Sequence, residues 1–277
     1  MIDVLWLALR AAAFVLLLQA AGTVLFVHAC RGALRPLVQL PAGPSRRLAL
    51  AALAVLAAQV LLEPAHLAGS WEGLSDRSLW ELSAHSAAAA SCLLRVLGVI
   101  ALLVPLRTAP AAGALLILGS FLLSGHTVAH TPRALLSALL AVHVSIASFW
   151  FGALAILGTL ARRLQAESLA RILLAFSRLA LPLVVLLPAA GLALAALLLP
   201  GAAALRTPYG GLLCTKASLL VLALGCAALN RQRYTPALGR GEVAALAPLR
   251  RSVRLEYLLL AGILTATAVL TGVLSPD

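Results

Sequence analysis

Long apolar blocks run through this 277-residue chain, each closed by a short gap holding charge, proline or glycine. A block of about 20 helical residues covers the roughly 30 Å of a bilayer's hydrocarbon. On that measure the pattern predicts about eight spans, at residues 4–28, 48–68, 84–106, 110–125, 134–160, 172–199, 210–230 and 252–274. The fourth is the shortest and opens at Pro110. The blocks lack the two-residue alternation of strands, and in lipid a helix satisfies its own backbone polar groups. The expected fold is therefore all-α: a polytopic transmembrane helix bundle forming a single membrane domain over residues 1–277. The first block is read as a retained helix, since Asp3 stands where a signal peptide would be basic.

The gaps alternate in charge. Arg31, Arg35, Arg46 and Arg47 follow the first span, whereas Glu72, Asp76, Arg77 and Glu81 follow the second. Arg107 follows the third, and His126, His130 and Arg133 the fourth. Arg162, Arg163 and Arg171 come after the fifth, Arg206 alone after the sixth, and Arg231, Arg233, Arg240, Arg250 and Arg251 after the seventh. Basic loops stay on the cytoplasmic side during insertion. With an even number of crossings, both termini are expected outside, in the periplasm of a Gram-negative cell.

Composition narrows the class further. Apolar residues make up 62% and charged residues 11%, against about 45–50% and 25% in soluble domains, which excludes a cytosolic enzyme and a disordered chain. The net charge of +12 would suggest nucleic acid in a soluble protein. Here the arginines sit in the gaps between spans, where they set topology. The four cysteines, Cys30, Cys92, Cys214 and Cys226, have no CxxC spacing and read as small packing residues rather than a disulfide framework. The sequence shows no Walker A, GxSxG or HExxH pattern, so neither an ATP-driven pump nor a hydrolase is read from it, and the protein is not expected to be an enzyme.

Given this topology, five of the six histidines fall at the outer side or within the bilayer. His66 ends the second span, His85 starts the third, and His126 and His130 occupy the outer loop after the fourth. His143 lies about nine residues into the fifth span, near half the hydrocarbon depth. Glu63 is three residues before His66 and could share its helix face, unless Pro64 breaks the helix. Imidazole with carboxylate suits Cu(II), Zn(II), Ni(II) or Fe. The alternatives are ordinary interfacial histidines for the outer four and an interhelical hydrogen bond for His143.

Polar groups at membrane depth are costly and mark pathways or partners. Besides His143 they include Arg95, Lys216, Glu256, Arg10, Gln19 and Gln59. Arg95 needs a partner or a wet cavity, and Lys216 can snorkel outward. Glu256, about a turn from Arg250, Arg251 and Arg254, is expected to form a local ion pair. Trp150, two turns beyond His143, shares its helix face.

Several stretches taken together resemble the CopD copper-resistance family. They are Ser124-Gly125-His126, Ala141-Val142-His143 and Trp150-Phe151-Gly152-Ala153-Leu154, then Phe176-Ser177-Arg178-Leu179-Ala180. Thr207-Pro208-Tyr209-Gly210 with Leu212, Leu213 and Lys216, Asn230-Arg231, and Leu249-Arg250-Arg251-Ser252-Val253 with Leu255-Glu256 complete the set. Ala153 replaces a second glycine of the family's Trp-x-Gly-Gly pattern, and Ala190-Gly191 replaces its Thr-Gly. The resemblance covers about residues 120–277, with residues 126–277 forming the CopD-like region; the spans within residues 1–125 match only in count and hydropathy.

What the resemblance implies is a multi-pass protein of the bacterial inner membrane that moves copper from periplasm to cytoplasm, beside a periplasmic CopC-like carrier. His126, His130, His143, His66, His85 and Glu63 would then be the metal ligands. Two other readings share the fold. One is a redox protein whose helix-borne histidines ligate haem as cofactor, and the other is a non-transporting scaffold for copper-protein assembly.

Overall fold

A computed structural model describes residues 1–34, 45–123, 132–199 and 201–272. Every regular element among them is helical. The principal helices are α1 (Ile2–Ala29), α2 (Arg46–Ala68), α3 (Arg77–Ala84), α4 (Ala87–Leu103) and α5 (Ala109–Ser120). They are followed by α6 (Arg133–Arg163), α7 (Ala166–Leu198), α8 (Pro208–Leu229) and α9 (Leu246–Gly272). Six are long and apolar enough to cross a membrane: α1, α2, α6, α7, α9 and α8 with its continuation to Gly239. Leu192, Val185 and Val221 are each about two-thirds exposed or more, an arrangement that suits lipid and not water.

The region expected to hold the third and fourth spans departs from two plain crossings. α3 and α4 meet at a 66° bend and count as one span only when taken together. α5 has 12 residues, about 18 Å of helix and too short to cross alone. The count is thus six helices, or seven with the bent pair, rather than eight. α5 stops early because it ends inside the protein. Its last residue, Ser120, meets Ser91 and Arg95 of α4, and the following Phe121 packs edge-on against Phe14 at 5.1 Å.

The hairpin nevertheless returns the chain to the side it left, because α4 and α5 are antiparallel. Ser91 donates to the Ser120 carbonyl at 2.8 Å, while Gly98 faces Gly113 fifteen residues along. Direct contacts fix the ends of the bundle as well. Arg10 Nη2 donates to the Thr271 carbonyl at 3.1 Å, and Tyr257 donates to Gln19 at 2.6 Å. α1 and α9 therefore run antiparallel, with Ile2 and Gly272 at one end. His66, bonded to Asp3, joins them there. Arg31, Arg46, Arg107, Arg162, Arg163 and Arg231 fall at the opposite end.

Helix ends follow their local sequence. Ser45, Asp76, Ser86 and Thr207 each accept a backbone N–H from the first turn that follows, replacing the missing intrahelical acceptor. The Ser78 hydroxyl and amide donate to Asp76 and hold its carboxyl below the usual aspartate range. Pro64 does not interrupt α2, which continues to Ala68 and stops at Gly69 with φ 68°.

At the centre, α1 lies against α6 with almost nothing between the backbones. A Cβ on Gly22 would overlap the Ser148 carbonyl, and one on Gly152 would overlap the backbone of Gly22 and Thr23. Ser148 adds a 2.7 Å bond to the Leu18 carbonyl. Phe26, Phe149 and Phe176 tie α1, α6 and α7 together with centroids 5.9–6.3 Å apart. Phe151 stacks on Tyr257 at 4.6 Å and brings in α9.

Gly152→Ala is expected to cost about 2 kcal/mol or more, as overpacking a backbone contact does. Gly211→Ala, where an added Cβ meets open space, should instead gain about 0.5–1 kcal/mol from helix propensity. Thermal melts of the two variants in detergent check the opposite signs.

Candidate functional site

The residues singled out in the sequence separate into four places. At the end carrying Ile2, His66 Nδ1 lies 3.2 Å from Asp3 Oδ1, and the imidazole stacks on Trp6 with centroids 4.7 Å apart. Because α2 is unbroken, Glu63 stands one turn before His66, turned toward the Ser83 hydroxyl. His85 stands apart from this group, as the C-cap of α3, with Nδ1 on its own helix at the Glu81 carbonyl, 2.8 Å away. His126 and His130 lie outside the described residues. Among the described residues, no group of three or more His, Cys, Asp or Glu is placed to hold a metal ion.

His143 occupies the second place. It stands ten residues along α6 from Arg133, about 15 Å of rise. Its Nδ1 is 3.1 Å from the Leu187 carbonyl of α7. A carbonyl only accepts, so Nδ1 carries a proton, and a neutral ring bonded this way keeps its Nε2 lone pair. Gly191 makes room for the ring, since a Cβ there would come within 3.0 Å of His143 Cε1. Lys216 of α8 is near enough to act on the imidazole electrostatically.

The third place holds the intramembrane arginines, and their partners are helix ends rather than acids. Arg95 donates to Ser120 Oγ at 3.1 Å and lies over the Phe121 ring at 4.9 Å, where α5 terminates. Arg10 donates to the Thr271 carbonyl and hydroxyl at the end of α9. Arg250 Nε meets the Ala161 carbonyl in the last turn of α6 at 2.8 Å. Each cation thus faces the negative end of a helix dipole, Arg10 and Arg250 through a terminal carbonyl and Arg95 through the Ser120 hydroxyl.

Glu256 defines the fourth. It accepts from Trp150 Nε1 at 2.5 Å and from Asn230 Nδ2 at 2.9 Å. The expected ion pair with Arg250, Arg251 or Arg254 is not formed: Glu256 points into the bundle, while Arg251 and Arg254 lie on the exposed side of α9. Nor do His143 and Trp150 share a site. One turns to α7 and the other to α9: seven residues fall only about 20° short of two helical turns, yet different neighbours draw each side chain off that common face. Asn230 and Ser120 were not legible as functional residues. Their partners are distant in sequence, and only the Asn-Arg pair of the family pattern points to the first. The four cysteines are free thiols.

Fold and sites together define an all-helical, multi-pass membrane protein with polar groups held singly at depth. Residues 170–270, somewhat over a third of the chain, match the family model described as Copper resistance protein D (CopD), so this stretch is similar to that family. The match takes in α8, nearly all of α7 and all but the last residues of α9. It includes the Phe-Ser-Arg, Thr-Pro-Tyr-Gly, Asn-Arg and Arg-Arg-Ser-Val stretches but not His126, His143 or Trp150. No curated protein and no solved structure matches the chain.

Ser120→Ala should cost about 1.5–3 kcal/mol by stripping a charged donor of its acceptor. Arg95→Met, which removes the buried charge itself, should cost less or be neutral. Denaturation of both variants in the same detergent measures the order.

Proposed function

We propose that the protein moves copper across the bacterial inner membrane, from periplasm to cytoplasm, and so contributes to copper homeostasis and resistance. The observation that carries this reading is the CopD match over residues 170–270. It is joined by an imidazole at mid-depth whose Nε2 is free to bind a metal while Nδ1 is tied to α7. Copper is the cargo in this reading rather than a resident cofactor.

Capture would fall to the end bearing Asp3, Glu63 and His66, together with His126, His130 and His85. A CopC-like periplasmic carrier would deliver the ion there. The clustering of arginines at the other end supports placing that end in the cytoplasm. His143 would be the intermediate step. Binding at its Nε2 requires no reprotonation of Nδ1, so the ring can accept a metal without releasing its hold on Leu187. Imidazole binds metal only when neutral, so capture should weaken as pH falls below about 6.5.

Cells expressing the protein should accumulate copper, and His126→Ala and His143→Ala should each reduce that accumulation several-fold with expression unchanged. Gly191→Ala, which crowds the His143 ring, should lower uptake more than Gly211→Ala. Undiminished accumulation in both histidine variants would remove the transport reading. A haem absorption band in the purified protein would replace it with the redox one.

A further inference from the structure

Where α8 ends, the backbone changes pitch: Asn230–Tyr234 form a π-helical turn before a last helical turn, Thr235–Gly239. Such turns leave backbone groups out of the regular ladder and concentrate at functional sites. This one carries Asn230 into the bundle, where its Nδ2 donates to Glu256. The other end of the same amide, Oδ1, is buried without a partner among the described residues, as is Ser252 Oγ one turn before Glu256. Asn230 is 8% exposed and Glu256 2%.

The sum is lopsided. Glu256 is met only by two neutral N–H donors, and an unanswered carbonyl oxygen sits beside it. Burying a carboxylate on those terms costs several kcal/mol. The nearby cations are engaged elsewhere. Arg231 donates to the Ser177 carbonyl at 3.0 Å and Arg250 to Ala161. Arg251 and Arg254 are exposed, and the titratable group that α8 presents toward Glu256 is the thiol of Cys226. Glu256, Asn230 and Trp150 line a cleft of about 340 Å³ whose walls are mostly apolar, with Leu154, Phe176 and Leu224, and also include Arg231, held by the Ser177 carbonyl.

We infer that the floor of this cleft is a binding site for a monovalent cation, taken either as a proton on Glu256 or as Na⁺ between Glu256 and Asn230 Oδ1. Oxygen donors select a hard ion. A single carboxylate balances a single charge, whereas Ca²⁺ and Mg²⁺ sites draw on more oxygen ligands and waters. The inference does not depend on copper and is tested in its absence.

Trp150 donates directly to the carboxylate and reports on it. Full-length protein carrying Trp6→Phe, Trp71→Phe and Trp80→Phe, purified in detergent, is titrated from about pH 5 to about pH 9 in choline chloride, then with NaCl at fixed pH. A proton site gives a pH transition in Trp150 emission that Na⁺ does not move, or a carboxylic-acid infrared band lost in Glu256→Gln. A sodium site gives a saturable response to NaCl, weakened at least tenfold by Asn230→Leu and abolished by Glu256→Gln. Emission flat in both titrations, with no carboxylic-acid band assignable to Glu256 in the otherwise unaltered chain, overturns the inference.

Discussion

The bundle is organised by the close approach of two backbones, those of α1 and α6, at Gly22 and Gly152. In lipid no hydrophobic drive pulls apolar helices together, so packing and interhelical hydrogen bonds must do it, and small residues allow both. Gly152 lets α1 come close enough for Ser148 to reach the Leu18 carbonyl. That contact sets the level of α6 against α1. It thereby fixes the depth of His143, about two and a half turns before Gly152, and of Trp150, beside it. Phe26, Phe149, Phe151 and Tyr257 then seat α7 and α9 against the same pair.

A second theme is how charge is kept at depth. The part-buried cations Arg10 and Arg95, and the more exposed Arg250, are each answered by a helix C-terminus, the negative end of the helix dipole. This explains why α5 is short. A helix continuing straight past Ser120 would run through the space where Phe121 lies against the Arg95 guanidinium. Glu256 is handled differently, with neutral donors in place of a cation, and that difference separates it from the rest of the membrane's polar groups.

The long helices were legible because hydropathy over twenty residues is a strong signal, and α1, α2, α6, α7, α8 and α9 fall close to the expected spans. The parity of the fold was legible too, through the alternation of Arg-rich gaps. Residues 84–125 were not. Hydropathy registers that Leu93 or Leu115 is apolar but not that the helix ends against Arg95, so a broken helix and a short one read as two ordinary spans. Sites fared less well. The placing of Glu63 one turn before His66 followed from a three-residue spacing, which needs only a continuous helix. The partners of Glu256 lie 26 and 106 positions away, where helix periodicity carries no information, and the nearby arginines of its own helix pointed to the wrong answer. Trp150 and His143 share a spacing without sharing a neighbour for the same reason.

The clasp between Arg10 and Thr271 brings the beginning and the close of the bundle together beside Asp3 and His66. A water-soluble module fused to either extremity would therefore emerge on one common face, within reach of the same imidazole. Tethering from the front or from the back of the polypeptide would be geometrically equivalent ways of raising a ligand's local concentration there.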